Sequence, residues 1–97
     1  MLVLPSLVEG FGLPALEAMA CGTPVAVSRT AALREVTGEA GSFFDPLDTA
    51  DIRSAMALVL GSSSMRADMR ARGIERARQF SWDEVAAKVW AVLAAAA

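Results

Sequence analysis

Histidine and tyrosine are absent from these 97 residues, and cysteine occurs once, at Cys21. One cysteine cannot close an internal disulfide, and without histidine a zinc site has almost no ligands to draw on. Cys21 also has no histidine in the chain to activate it, so buried packing is its expected role. Positive charge is not in excess. Nine Lys and Arg stand against eleven Asp and Glu, a net charge of −2, which leaves no basic field for a nucleic-acid backbone. Long apolar runs are missing too. Leu2-Val3-Leu4 and the stretch from Val89 to Ala97 are both too short to span a membrane. No basic segment follows Met1, so a signal peptide is unsupported. A reduced, cytoplasmic setting is the expectation.

What is abundant is apolar surface, at 55% of residues, on the rich side for a soluble domain of this size. Part of that surplus is expected to serve a partner surface. The length suits one small domain or a piece of a larger one.

The first half reads strand, loop, helix, strand. Leu2-Val3-Leu4 is a continuous apolar run closed by Pro5-Ser6, the pattern of a strand buried on both faces. Gly10 and Gly12 permit a tight turn or a close approach of backbone. Pro14 suits the first helical position, where its missing N–H is no loss. The helix is expected to run to about Cys21 and to end at Gly22 in the left-handed conformation. Val25-Ala26-Val27 is the next strand, and two apolar strands joined by a helix imply a parallel crossover. Ser28 to Glu39 reads mostly as loop, with one helical turn at Ala32–Val36. Ser42-Phe43-Phe44 is the third strand.

The second half is helical. Asp48 is placed as an N-cap, followed by an apolar stripe of Ile52, Ala55, Met56, Val59 and Leu60 that stops at Gly61. Ser62-Ser63-Ser64 caps a helix from about Met65 to Gln79, with Met65, Met69, Gly73 and Ala77 on one face. Its arginines, Arg66, Arg70, Arg72, Arg76 and Arg78, read as a solvated face. Ser81 and Glu84 form a capping box for a last helix whose apolar positions are Trp82, Val85, Ala86, Val89 and Leu93. The tail Ala94–Ala97 is expected to fray. These elements describe an α/β chain with a partial, Rossmann-like parallel sheet of about three strands and flanking helices. It is expected to be the second half of a doubly wound domain, with one side of the Leu2–Leu4 strand left unpaired.

The chemistry centres on Glu9 and Glu17, which seven residues separate. Between them, the loop-helix junction at Gly10–Leu13 presents free backbone N–H groups at the positive end of a helix, where a diphosphate is favoured. Glycines there remove side chains that would hold an anion away. Glu9 can accept hydrogen bonds from sugar hydroxyls, and Glu17 can take the paired hydroxyls of a ribose. Each residue alone also fits a plainer role: a capped helix start, an exposed loop acid, a first-turn acid that complements the helix dipole. Paired acids suggest glycoside hydrolysis as well. That reading ranks lower, since a hydrolase has no need of an anion-binding helix terminus.

The run Pro5-Ser6-Leu7-Val8-Glu9-Gly10-Phe11-Gly12-Leu13-Pro14-Ala15-Leu16-Glu17-Ala18-Met19-Ala20-Cys21-Gly22-Thr23-Pro24-Val25 closely resembles the donor-site signature of group 1 glycosyltransferases. These are retaining enzymes of GT-B fold, related to sucrose synthase and bacterial glycogen synthase. Further matches follow at Ser28, Glu35-Val36, Gly38, Ala40-Gly41, Asp45-Pro46 and Phe80-Ser81-Trp82, so the resemblance covers nearly the whole chain.

The resemblance implies that Glu9 is the acid contacting the transferred sugar's hydroxyls and the one catalytic residue of this stretch. Gly10, Phe11, Gly12 and Leu13 are implied to meet the sugar and diphosphate, chiefly through backbone N–H groups, and Glu17 to bind the ribose. It further implies a front-face reaction in which leaving-group phosphate assists the acceptor, with no metal and no cofactor.

Residues 1–97 then correspond to the C-terminal part of a donor-binding domain. The partners implied are a nucleotide-diphospho-sugar, a sugar, lipid-linked or other hydroxyl acceptor, and an N-terminal domain outside this sequence. Peripheral membrane association is an expectation for the longer protein. An upstream Arg/Lys pair that neutralises the leaving diphosphate in the family has no counterpart here, so this chain alone is expected to be nearly inactive. The competing reading is a stand-alone, non-catalytic nucleotide-sugar-binding or interaction module.

Overall fold

The computed structural model describes residues 1–6 and 12–96; within the last helix, the side chains of residues 82, 92 and 96 lie outside that description. Three strands, β1 (Leu2–Leu4), β2 (Val25–Ser28) and β3 (Ser42–Phe44), form one sheet in the order β1-β2-β3. Both pairings are parallel, with Leu2 opposite Val25 and Ala26 opposite Ser42. Around it, among the described residues, lie five α-helices: α1 (Leu13–Ala20), α2 (Ala31–Thr37), α3 (Thr49–Leu60), α4 (Ser63–Arg78) and α5 (Trp82–Ala96). A short 3-10 turn at Gly38–Ala40 joins α2 to β3.

The two-residue period of a strand divides the apolar residues between two faces. Val25 and Val27 pack with Leu16 and Met19 of α1, Leu33 and Val36 of α2, and Val85 of α5. Leu2, Leu4 and Phe43 border the same cluster. On the other face Ala26 and Phe44 pack with Ala55 of α3, flanked by Val3 and Ile52. All four residues of β2 are buried, as a central parallel strand requires. Its one polar side chain, Ser28, is fully buried and donates its hydroxyl to the carbonyl oxygen of Leu4 at 3.1 Å. Full burial of each large apolar side chain, such as Phe44 or Met19, contributes about 1.5–3 kcal/mol.

Several expectations need correction. The segment after β2 is not mostly loop. Thr30 accepts a hydrogen bond from the Leu33 amide at 3.3 Å and so starts a helix of two turns, Ala31–Thr37. Helix α4 begins at Ser63, because Ser62 alone is the cap. Leu60 leaves the α3 stripe and is exposed, one residue beyond the buried Val59. Cys21 is exposed, since it is the C-cap of α1 and lies past the buried face of Ala15, Leu16 and Met19. The alanine tail continues as helix through Ala96.

The α4 arginines are not simply a solvated face. Arg66 donates to the carbonyl oxygens of Val59 and Leu60, and Arg76 donates to those of Glu35 and Val36. Each guanidinium thus satisfies the open C-terminus of another helix, where positive charge is also favoured by the helix dipole. Arg72 and Arg78 do pair on the surface, with Asp68 at 3.0 Å and Glu75 at 3.8 Å.

Gly41 shows how tightly the turn before β3 is packed. A β-carbon there would stand 2.2 Å from the Thr37 methyl and 3.3 Å from Val25 Cγ2. Gly41→Ala is therefore expected to destabilise the chain by about 1–3 kcal/mol through overpacking. Urea unfolding followed by circular dichroism measures this, and an unchanged midpoint would contradict the packing described.

Candidate functional site

The carboxyl ends of β1, β2 and β3 gather one set of polar groups along the upper edge of the sheet. In open parallel sheets this edge is where ligands bind. Here the fold uses most of the polar groups itself. Ser28 takes the Leu4 carbonyl, the Arg29 amide donates to the Phe44 carbonyl at 2.9 Å, and Thr30 caps α2. Helix α1 starts differently. Its N-cap is Gly12, at φ 85° and ψ 32°, which has no side chain to accept from the first-turn amides. The Leu16 amide makes the first backbone bond, to the Gly12 carbonyl at 3.1 Å. Pro14 has no N–H, so Leu13 and Ala15 carry the first-turn donors of this helix.

Gly12 is buried, and the wall against it is α2. A β-carbon on Gly12 would stand 3.1 Å from Leu33 Cδ2 and 3.5 Å from Val36 Cγ2. Glycine is needed twice over at this point, for the left-handed backbone and for the close approach of α2.

Five residues on from Gly12, Glu17 lies in the second turn of α1 and is exposed. No acid occupies the first turn, so Glu17 is not the dipole-complementing first-turn residue that its position could suggest. Leu13 and Glu17, at i and i+4, share a face. Both line a cleft of about 310 Å³ between α1, the end of α4 and the start of α5. Its walls are largely apolar, with Leu16, Ile74, Phe80 and Val85 among them, and Arg78 joins Glu17 as its second charged group. Arg78 had no sequence signal for a place here beyond its helical spacing from Ile74.

The structure thus brings Gly12, Leu13 and Glu17 together along one helix. Glu9, Gly10 and Phe11 lie outside the described residues. Among the described residues no group of three or more His, Cys, Asp or Glu could hold a metal ion, and no helix is long and apolar enough to cross a membrane.

A parallel α/β sheet with a glycine-started helix at its carboxyl edge belongs to the open, doubly wound class whose ligands sit at that edge. Comparison with known proteins narrows the class: residues 1–79 match the family of group 1 glycosyl transferases, and the chain belongs to that family. Over 81 residues it is 48% identical to O-antigen chain mannosyltransferase B of Escherichia coli, covering 84% of this chain and 21% of that protein. An MMP alpha-(1->4)-mannosyltransferase of Mycolicibacterium hassiacum is 42% identical over 93 residues, 92% of this chain and 23% of that one. Among solved structures, a sucrose-phosphate synthase from Thermosynechococcus elongatus superimposes with a TM-score of 0.77 at 34% identity, over 98% of this chain and 25% of that one. The chain therefore spans about a fifth to a quarter of the length of these relatives.

Gly12→Ala is expected to lower stability by about 1–2 kcal/mol, from the left-handed backbone and the contact with Leu33. Thermal melting of the variant checks this, and an unchanged melting temperature would remove the steric role assigned to Gly12.

Proposed function

We propose that residues 1–97 form the C-terminal part of the donor-binding domain of a glycosyltransferase. The reaction is transfer of a sugar from a nucleotide-diphospho-sugar to an acceptor hydroxyl, with retention at the anomeric carbon. The observation that carries this reading is the start of α1: a buried, left-handed glycine cap at the carboxyl edge of a parallel sheet, with Glu17 one turn further on. Backbone amides at a helix start suit a diphosphate, because they point at the anion and lie at the positive end of the helix. A carboxylate one turn along is suited to the vicinal hydroxyls of a ribose attached to that diphosphate.

In this reading Glu9 holds the hydroxyls of the transferred sugar, and Gly10, Phe11, Gly12 and Leu13 meet the sugar and the diphosphate. The acids orient the donor and stabilise charge, so catalysis is positional and electrostatic. No metal or cofactor is assigned. The cations that neutralise the leaving diphosphate and the wall that binds acceptor come from outside these residues, as does the N-terminal domain. The 97 residues on their own are accordingly assigned binding without appreciable turnover. The assigned compartment is the cytoplasm, with peripheral membrane association of the longer protein where its acceptor is lipid-linked.

Calorimetric titration of the chain with UDP, GDP and their 2′-deoxy counterparts tests the site. Wild type is expected to bind a ribonucleoside diphosphate more tightly than its deoxy form. Glu17→Ala is expected to lose about 1.5–3 kcal/mol of affinity, the strength of hydrogen bonds to a charged group, together with that preference. Equal affinity of wild type and Glu17→Ala would remove Glu17 from the site. In the longer enzyme, NMR of the product is expected to show the donor's anomeric configuration kept; inversion would overturn the mechanism. Binding in an enzyme that, at full length, transfers nothing would favour the non-catalytic module.

A further inference from the structure

The C-terminal end of α2 is gripped from two other helices. Arg76 of α4 donates through Nε to the Val36 carbonyl at 3.0 Å and through Nη2 to the Glu35 carbonyl. Its third nitrogen donates to Gln79 Oε1 at 2.7 Å, and its guanidinium carbon lies 5.1 Å from the centre of the Phe80 ring. Gly38 makes room for it: a β-carbon there would stand 3.1 Å from Arg76 Nε. Lys88 of α5 forms an ion pair with the Glu35 side chain. Val36, whose carbonyl Arg76 holds, is also one of the two side chains that wall Gly12.

We propose that Arg76 is a positioning residue for the donor site, holding the end of α2 so that Leu33 and Val36 fix Gly12 and, through it, the first-turn amides of α1. This rests on the assignment of those amides to the donor diphosphate. The physical chain is short. Two charge-assisted hydrogen bonds tie the last turn of α2 to α4, along with the favourable charge at a helix C-terminus. With α2 seated, its side chains press on a residue that has no side chain of its own. If α2 is released, the left-handed cap at Gly12 loses its wall, and the amides it orients lose their common direction. A geometry error near 1 Å at such a site is enough to weaken a ligand contact strongly. Arginine is required because lysine cannot reach two carbonyls and a side-chain amide in a planar fork.

Three variants are to be compared: Arg76→Met, Arg76→Lys, and Arg72→Ala as a control on the same helix, where the Arg72–Asp68 pair is exposed. Two readouts are taken at a temperature where all three are folded by circular dichroism. One is the dissociation constant for UDP and GDP. The other is hydrogen exchange of the Leu16 amide, which donates to the Gly12 carbonyl, relative to the amides of β2. Arg76→Met is expected to weaken nucleotide binding about tenfold and to speed exchange at Leu16 with β2 unchanged. Arg76→Lys is expected to fall between Arg76→Met and wild type, and Arg72→Ala to match wild type. Should Arg76→Met fail to fold, Arg76→Lys carries the comparison. Unchanged affinity and unchanged exchange at Leu16 in the folded Arg76 variants would overturn the proposal. If wild type itself binds neither nucleotide, the donor-site reading fails instead, and the exchange measurement still decides whether Arg76 positions the start of α1.

Discussion

The rest of the structure depends on the burial of β2 on both faces. Val25, Ala26 and Val27 are at most 1% exposed, and their side chains alternate across the sheet. A strand of this kind cannot be stable with helices on one side alone. The chain therefore sends α1, α2 and α5 against Val25 and Val27, and α3 against Ala26 and Phe44. Parallel pairing follows from the same arrangement, because each return to the sheet passes through a covering helix. The carboxyl edge, with the start of α1 on it, is a by-product of that winding.

Close packing around β2 explains why small residues sit where they do. Gly73 of α4 lets that helix lie on Met19 of α1, where an added β-carbon would meet Met19 Cβ at 3.4 Å. Gly41 clears the Thr37 methyl, and Gly12 clears Leu33. The three cases differ in kind. At Gly73 the contact is ordinary, so a small side chain is a tolerable addition. At Gly41 the clash is with a fully buried neighbour that cannot move aside. At Gly12 the contact is tight and the backbone is left-handed as well, so two separate constraints select the same residue.

Much of this architecture is legible in the amino-acid sequence. The runs Leu2–Leu4, Val25–Val27 and Ser42–Phe44 are short, apolar and bounded by Pro, Gly and Asp, and each is a strand. Asp48, Ser62 and Ser81 were legible as caps because hydroxyl and carboxylate side chains precede helical periodicity, and all three accept from the amide three residues on. Helix α2 was harder. Two turns give too few apolar positions to establish a period, and Thr30 was the only start signal. The roles of Arg66 and Arg76 were invisible, since the carbonyls they bind belong to other helices, brought near only by tertiary folding. Exposure of Cys21 was likewise a matter of where α1 ends. The sequence also placed Gly12, Leu13 and Glu17 at the start of one helix, which is where α1 begins. The cleft beside them, with Ile74, Phe80 and Arg78, was beyond reach because its walls come from three helices.

The treatment of helix starts separates the α1 terminus from the other four. Helices α2, α3, α4 and α5 begin at Thr30, Asp48, Ser62 and Ser81, and each side chain accepts from a first-turn amide. Such caps typically contribute about 1 kcal/mol, yet glycine in the same place forfeits only a few tenths of that. Stability alone therefore gives little reason to avoid glycine at α1 and little reason to choose it. Sterics supply the reason from inside the fold, since α2 presses on Gly12. Donor binding, as proposed, supplies it from outside, because a hydroxyl or carboxylate cap would occupy the amides that the diphosphate is to meet. A single residue without a side chain satisfies both demands. Arg76 then matters to the site for the same reason: the steric half of that bargain holds only while α2 is kept in place.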